Sequence, residues 1–233
     1  MNIAIIGYGR MGKAIEAIAT ERGHHIAYIN NGTPLDQSAL ASCDVAIEFS
    51  RPEVAFENIT SLLKLGVPVV SGTTGWLAQK EEAEETAKKS KTGFIYASNF
   101  SLGVNLFFIV NEQLAKIMSA HNAYAPKVHE IHHTGKKDAP SGTAITSAEG
   151  ILASYEALNG WSMDGAQNAL PISAEREDPY CGTHVVSYES AIDTITLTHE
   201  AHNRTGFALG AVVAAEWLPG KKGSFGMRDV LGL

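Results

Sequence analysis

Cysteine is almost missing from this chain. Cys43 and Cys181 are the only two in 233 residues, far apart and in no paired spacing, which excludes a disulfide framework and a cysteine-built metal site. Positive charge is scarce too: 18 Lys and Arg stand against 25 Asp and Glu, a formal net charge of -7. An acidic chain lacks the basic surface that holds nucleic acid or an anionic membrane, so neither is expected as a partner. No run approaches the roughly 18 apolar residues that span a bilayer. Met1-Asn2-Ile3-Ala4-Ile5-Ile6-Gly7 puts no basic region ahead of an apolar stretch, so no export signal is expected. Repeats and low-complexity tracts are absent. The expectation is a cytoplasmic protein, long enough for one large domain or two modest ones, whose core needs no staple.

What is present first is alternation. Short apolar runs predict strands over residues 2–6, 25–29, 44–49, 68–71 and 93–97, with helix-like segments between them. That is the pattern of β-α-β units in a doubly wound, Rossmann-like parallel sheet. Gly23 closes the first helix, over 11–22; Ser50 with Glu53 offers a capping box and Gly66 a stop; the charged stretch 79–90 reads as a solvated helix. After Asn99 the pattern changes. A long apolar helix over 102–120 leads to expected strands at 128–133, 184–190 and 193–199 and a helix at 143–158, an α+β region with a mostly antiparallel or mixed sheet. Residues 159–178 are turn-rich and read as a loop. The apolar run 206–218 is expected to pack back onto the first region.

Gly7-Tyr8-Gly9-Arg10-Met11-Gly12 follows the first strand and opens the first helix, the context that a dinucleotide-binding loop requires. Gly7 permits the tight turn, Gly9 lets backbone approach a pyrophosphate, and Gly12 lets helix pack on strand. The acid that holds the ribose hydroxyls of NAD should end the second strand, where Ile29-Asn30-Asn31 stands instead. Arg10 is the nearest cation for a 2′-phosphate, so NADH and NADPH both stay open. Gly72-Thr73-Thr74 and Ala97-Ser98-Asn99-Phe100 follow the fourth and fifth strands and would flank the nicotinamide, or serve as ordinary turns.

His129-Glu130-Ile131-His132-His133 satisfies the zinc-protease pattern H-E-x-x-H. That motif needs a helix, whereas Pro126 before it and Gly135 after it favour a strand, which would set His129 and His133 roughly 13 Å apart. No metal is expected there. Adjacent His132 and His133, with Lys136 close behind, point instead to proton transfer or carboxylate binding. Ser141-Gly142-Thr143 opens a helix and suits an anion, or is a simple cap.

Together these residues resemble the 4-hydroxy-tetrahydrodipicolinate reductase (dihydrodipicolinate reductase) family, nearly end to end. The resemblance rests on the glycine loop, Glu48-Phe49-Ser50-x-Pro52, Gly72-Thr73-Thr74-Gly75, and Asn99-Phe100-Ser101-x-Gly103-Val104-Asn105. It rests most on His132-His133-x-x-Lys136-x-Asp138-Ala139-Pro140-Ser141-Gly142-Thr143-Ala144. Gly182-x-His184, His199-x-Ala201, Arg204, Gly210-Ala211 and Met227-Arg228-Asp229-Val230-Leu231 complete it. It implies a dinucleotide-binding domain of residues 1–101 and 204–233, with a substrate and oligomerisation domain of 102–203 between, and a homotetramer. It also implies NAD(P)H-dependent reduction of a small cyclic dicarboxylate in diaminopimelate and lysine biosynthesis. Catalysis would fall to His132 and Lys136, with Lys136 the proton donor. Substrate carboxylates would be held by His133, Lys136, Ser141, Gly142 and Thr143. The cofactor would be held by Gly7, Tyr8, Gly9, Arg10, Met11, Gly12, Gly72, Thr73, Thr74, Ala97, Ser98, Asn99 and Phe100. The sequence departs from the fuller family pattern in a shorter glycine loop, the missing acid and a short middle domain. Two alternatives remain: another small-substrate NAD(P)-dependent dehydrogenase, and a non-catalytic dinucleotide-binding sensor.

Overall fold

The computed structural model describes every residue except Thr33 and Arg204. In chain order it forms β1 (Asn2–Ile6), α1 (Arg10–Glu21), β2 (His25–Asn30), α2 (Gln37–Leu40), β3 (Val45–Glu48), α3 (Pro52–Lys64) and β4 (Val69–Ser71). A 3-10 turn (Leu77–Gln79) precedes α4 (Lys80–Ser90), β5 (Gly93–Tyr96), α5 (Leu102–Met118), β6 (Ala125–His132) and α6 (Gly142–Leu152). Then come β7 (Trp161–Ser162), β8 (Leu170–Arg176), β9 (Thr183–Glu189), β10 (Thr194–Glu200), α7 (Thr205–Trp217), β11 (Gly223–Phe225) and α8 (Met227–Leu231). These divide into two compact units, Met1–Leu102 with Thr205–Leu233, and Gly103–Arg204. No helix of the described residues is long and apolar enough to cross a membrane.

The first unit is a six-stranded sheet ordered β11-β5-β4-β3-β1-β2, with every pairing parallel. Its strands read as unbroken apolar runs because both faces are covered. Alternation sorts them: Ile3, Ile5, Val45 and Ile47 face one core with Ile15 and Ile18 of α1, while Ala4, Ile6 and Ala46 face the other with Ile59, Leu62 and Leu63 of α3. The α7 sequence TGFALGAVVAAEW is apolar almost all round, and such a helix must be buried. It belongs to the first core through Ala208, Ala211, Val212 and Ala215. In this strand order the chain leaves β1 toward β2 on one side and β3 on the other. The crevice at that switch point is where open α/β sheets bind ligands.

The second unit is a mixed five-stranded sheet ordered β10-β9-β6-β8-β7. β6 runs antiparallel to β9 and parallel to β8. One face carries Val128, Ile172, Val186 and Tyr188 and is packed against Phe107, Ala115 and Met118 of α5 and Ala144, Ala148 and Ile151 of α6. The other face carries the exposed Lys127, Ser173, Glu175, Thr194, Thr196 and Thr198, and no element of the unit covers it among the described residues.

Several elements differ from expectation. The stretch 159–178 is not all loop: it holds β7 and β8. In β8 the buried Leu170 and Ile172 alternate with exposed Pro171, Ser173 and Glu175, and those polar and turn-forming residues disguise the period. The helix expected to reach residue 158 stops at Leu152, and Tyr155 and Leu158 return to the core from the following turn. The Ser50–Glu53 capping box does not form. Arg51 is the N-cap of α3 without a side-chain bond, Pro52 fills its first turn, and the Ser50 hydroxyl donates to Glu48 instead. Gly66 does stop α3, with φ +81° and its amide donating to the Leu63 carbonyl.

Candidate active site

Two constellations carry chemistry, one in each unit. In the first, the glycine loop joins β1 to α1. Gly7 has φ +94°, and a Cβ there would stand 2.1 Å from the Phe49 carbonyl oxygen; one at Gly12 would stand 2.2 Å from the Gly7 carbonyl oxygen. Both positions therefore exclude side chains. Gly9 differs: a Cβ would meet nothing within 4 Å, so its bareness is open space beside the start of α1, where amides and helix dipole favour an anion. A cleft of about 520 Å³ opens there, lined by Gly7, Tyr8 and Gly9, by Asn30 at the end of β2 with Asn31 and Gly32 beyond it, and by Phe49, Ser50 and Arg51 after β3. This bare backbone fits the pyrophosphate of a dinucleotide.

Arg51 was not singled out from the sequence, and it lines the cleft, whereas exposed Arg10 is not among its lining residues. The only hint was its place directly after β3 at the switch point. No acid ends β2. Asn30 is nearly buried; its side chain accepts from the Gly32 amide at 3.1 Å and donates to the Tyr28 hydroxyl at 3.2 Å. Tyr8 turns its hydroxyl to Glu16. Gly72, Thr73 and Thr74 follow β4, and Ala97, Ser98, Asn99 and Phe100 follow β5, the Ala97 amide donating to the Ser71 carbonyl at 3.2 Å.

In the second unit β6 carries Glu130 and His132 to the same buried face. Its pairing sets Glu130 opposite His184 of β9 and His132 opposite Arg176 of β8. The sheet's buried face is thus apolar toward Val128 and polar at this end. Glu130 is fully buried and Ser141, His132 and His184 nearly so. The Glu130 carboxylate accepts from the Ser141 amide at 3.1 Å and from Arg176 Nη2 at 3.1 Å. His132 Nδ1 and His184 Nε2 each stand 3.6 Å from Oε2. Burial alone would raise this carboxyl; the donors His184, Ser141 and Arg176 outweigh it and hold the pKa to about 2.

Burial pushes His132 down to about 4, and the Glu130 charge only partly offsets that, so its imidazole is neutral near pH 7. Past the end of β6, Lys136 Nζ donates to both carboxylate oxygens of Asp138 at 2.8 Å, and its ammonium holds Asp138 below the usual carboxylate range. Arg176 Nε donates to the Lys136 carbonyl at 3.3 Å, bracing that loop. Ser141 caps α6: its hydroxyl oxygen accepts from the Ala144 amide at 3.2 Å and faces His184 Nε2 at 3.1 Å. The helix opens at Gly142 rather than Thr143, placing the amides of Gly142 and Thr143 in its first turn, where an anion finds donors.

The H-E-x-x-H match lies on β6, a strand. His129 turns to the outer face, where its Nδ1 is 2.8 Å from Ser173 Oγ, and His133 lies just past the strand end. In sequence Glu130 is masked by the H-E-x-x-H pattern that contains it, and Arg176 by the turn-rich stretch from which β8 emerges. Arg204, one of the residues carrying the resemblance, lies outside the described residues.

Comparison with known proteins bears on these two constellations. Residues 1–100 match the family described as dihydrodipicolinate reductase, N-terminus, and residues 103–231 match its C-terminus. The chain belongs to the dihydrodipicolinate reductase family. It is 52% identical to the 4-hydroxy-tetrahydrodipicolinate reductase of Christiangramia forsetii, covering 99% of this chain and 98% of that one. With the enzyme of that name from Methanoregula boonei it is 36% identical, over 82% of this chain and 75% of the other. Among solved structures, the dipicolinate-bound dihydrodipicolinate reductase from Paenisporosarcina sp. TG-14 matches 97% of both chains with a TM-score of 0.79 and 21% identity. At that identity it speaks for the fold. The chain is accordingly an oxidoreductase of the dihydrodipicolinate reductase family, with a Rossmann-like sheet and a second, mixed sheet.

Proposed function

We propose that the chain reduces 4-hydroxy-tetrahydrodipicolinate, by way of dihydrodipicolinate, to tetrahydrodipicolinate in diaminopimelate and lysine biosynthesis. Beyond family membership, the observation that carries this reading is the Glu130 cluster with Lys136 beside it: proton machinery next to a helix N-terminus suited to a carboxylate. Bound in the first-unit cleft, a reduced nicotinamide dinucleotide supplies the hydride. Gly7, Tyr8, Gly9, Arg10, Met11 and Gly12 hold its phosphates with backbone amides, Arg51 adds a cation, and the segments 72–74 and 97–100 flank the ring. With no acid after β2 to repel a 2′-phosphate, the cleft takes NADH and NADPH alike.

The remaining chemistry falls to side chains of the second unit. Hydride addition at one carbon of a conjugated system leaves electron density that a proton must quench at the next. A neutral imidazole is a poor acid, so His132 accepts or relays while the Lys136 ammonium, oriented by Asp138, gives the proton from Nζ. His133, Lys136, the Ser141 hydroxyl and the Gly142 and Thr143 amides bind the substrate carboxylates. The solved relative of this fold was captured with dipicolinate, a compact dicarboxylate, which accords with that cradle. Glu130, His132 and His184 present three potential ligand atoms within 4.8 Å of one another. The Glu130 oxygens already accept from Ser141 and from Arg176, whose charge opposes a cation, so we read the group as a relay and not a metal site. The uncovered sheet face of the second unit is the surface through which we infer a homotetramer, to be checked by sedimentation.

Reduction with cofactor deuterated at the transferred position tests the reading. The label should appear in tetrahydrodipicolinate by mass spectrometry; product without label contradicts direct hydride delivery.

A further inference from the structure

Glu48 ends β3, its side chain wholly buried in the first unit, and it takes no part in the proton chemistry of the second. Four donors converge on its carboxylate. Oε1 accepts from the Ser50 amide at 3.0 Å, from the Thr73 hydroxyl at 2.9 Å and, in a short contact, from the Ser50 hydroxyl. Oε2 accepts from the Ser71 hydroxyl at 2.6 Å. A carboxylate offers about four acceptor positions, so this one is saturated. Among the described residues no cationic side chain forms an ion pair with it.

Those donors lie on two segments. Ser50 belongs to the loop after β3; Ser71 ends β4 and Thr73 follows it. Thr73 closes the ring, because its hydroxyl oxygen also accepts from the Ser50 amide at 2.8 Å. On the far side, Asn58 of α3 donates to the Ser50 hydroxyl at 3.4 Å, and the Trp76 indole donates to the Thr73 carbonyl at 2.7 Å. Phe49, Ser50, Arg51 and Asn58 all line the cleft. Glu48 is thus the knot between the cleft wall and the Gly72-Thr73-Thr74 loop. An apolar side chain of similar size would fill the same space without the cost of desolvating a carboxylate. What Glu48 adds over it is direction.

We propose that Glu48 is a positioning residue for the reduced dinucleotide: it locks the loops after β3 and β4 into one preformed wall, so that binding need not order them. This rests on the reading of the cleft as the cofactor site. Preformed walls raise affinity by lowering the ordering cost of binding. The effect should therefore fall on cofactor affinity and leave substrate affinity alone.

The test compares Glu48→Leu, Glu48→Gln and the wild type in the full-length protein. Dissociation constants for NADH and NADPH come from titrating the protein's fluorescence, without turnover, and substrate KM and kcat from steady-state rates. Glu48→Leu strands three hydroxyls and leaves the Ser50 amide only the Thr73 hydroxyl oxygen; it should weaken both cofactors about tenfold or more, the size expected when one or two net hydrogen bonds are lost, with substrate KM within about twofold. Glu48→Gln should rescue to within about threefold, because its carbonyl replaces Oε1 and its amide donates to a turned Ser71 hydroxyl. A folded Glu48→Leu protein with unchanged cofactor constants overturns the proposal, as does one in which substrate KM moves equally. Should Glu48→Leu fail to fold, Ser71→Ala removes only the Oε2 tie and is expected to weaken cofactor about threefold; no change overturns the proposal. Wild-type protein that binds cofactor without reducing the substrate would sink the proposed reaction and leave the Glu48 result to stand or fall by itself. Wild-type protein that binds neither cofactor sinks both.

Discussion

Each unit buries one glutamate completely, and the two are satisfied in opposite ways. Glu48 sits among hydroxyls and an amide, with no ion pair among the described residues. Glu130 sits between Arg176, the Ser141 amide and two imidazoles. The first arrangement ties two loops together through uncharged donors, which suits a wall for a ligand held largely by backbone. The second concentrates charge and titratable nitrogen in one spot, which suits proton transfer. The carboxylate is an acceptor in both places; its neighbours decide whether it organises backbone or tunes acidity.

Removing the charge-rich knot should do the most damage. Glu130→Ala leaves the Arg176 guanidinium facing two histidines, a defect of about 3 kcal/mol by urea unfolding, at the low end for broken buried pairs because the Arg176 side chain keeps 21% of its surface exposed. A loss under about 1 kcal/mol would show that Arg176 finds water as an equal partner. Next comes the proposed donor. Lys136→Ala should lower kcat by roughly 10²-fold with cofactor constants intact, read by steady-state rates and fluorescence titration; near-normal turnover removes Lys136 from the mechanism.

The comparison sharpens further with the same conservative change at both sites. Glu48→Gln is expected to be mild, whereas Glu130→Gln deletes the negative partner that Arg176 has among the described residues and should cost about 1–3 kcal/mol more stability. Equal costs in thermal or urea unfolding would erase the distinction between the two knots.

The pH dependence gives a further handle on the second knot. His132 titrates at about 4 in the folded protein against an ordinary 6.5. Between those values the unfolded chain holds a proton that the folded one refuses, so stability is full above pH 6.5 and falls as pH drops through that window. Glu130, held at about 2 against 4.5, continues the loss at lower pH in the same direction. In His132→Asn the slope of stability against pH between 6.5 and 4 should flatten by about one proton; an unchanged slope would mean His132 titrates normally.

Much of the first unit was legible because its strands are buried on both faces and its glycines stand where strand turns into helix. β8 was not, since Pro171, Ser173 and Glu175 interrupt its buried positions, and β11 is only three residues long. Candidate site residues were legible where titratable and anion-binding groups sit in one stretch, as from His132 to Thr143. Pairings were hidden where a partner comes from another strand. Nothing near Glu48 in sequence announces Ser71 or Thr73, and nothing near His132 announces Arg176 or His184, because only sheet register brings them together.

The most direct test of the account is the rate at which the purified protein oxidises NADH and NADPH, side by side, with and without freshly generated 4-hydroxy-tetrahydrodipicolinate. Substrate-dependent oxidation of both cofactors is the expected result. No substrate-dependent oxidation of either would contradict the reductase assignment.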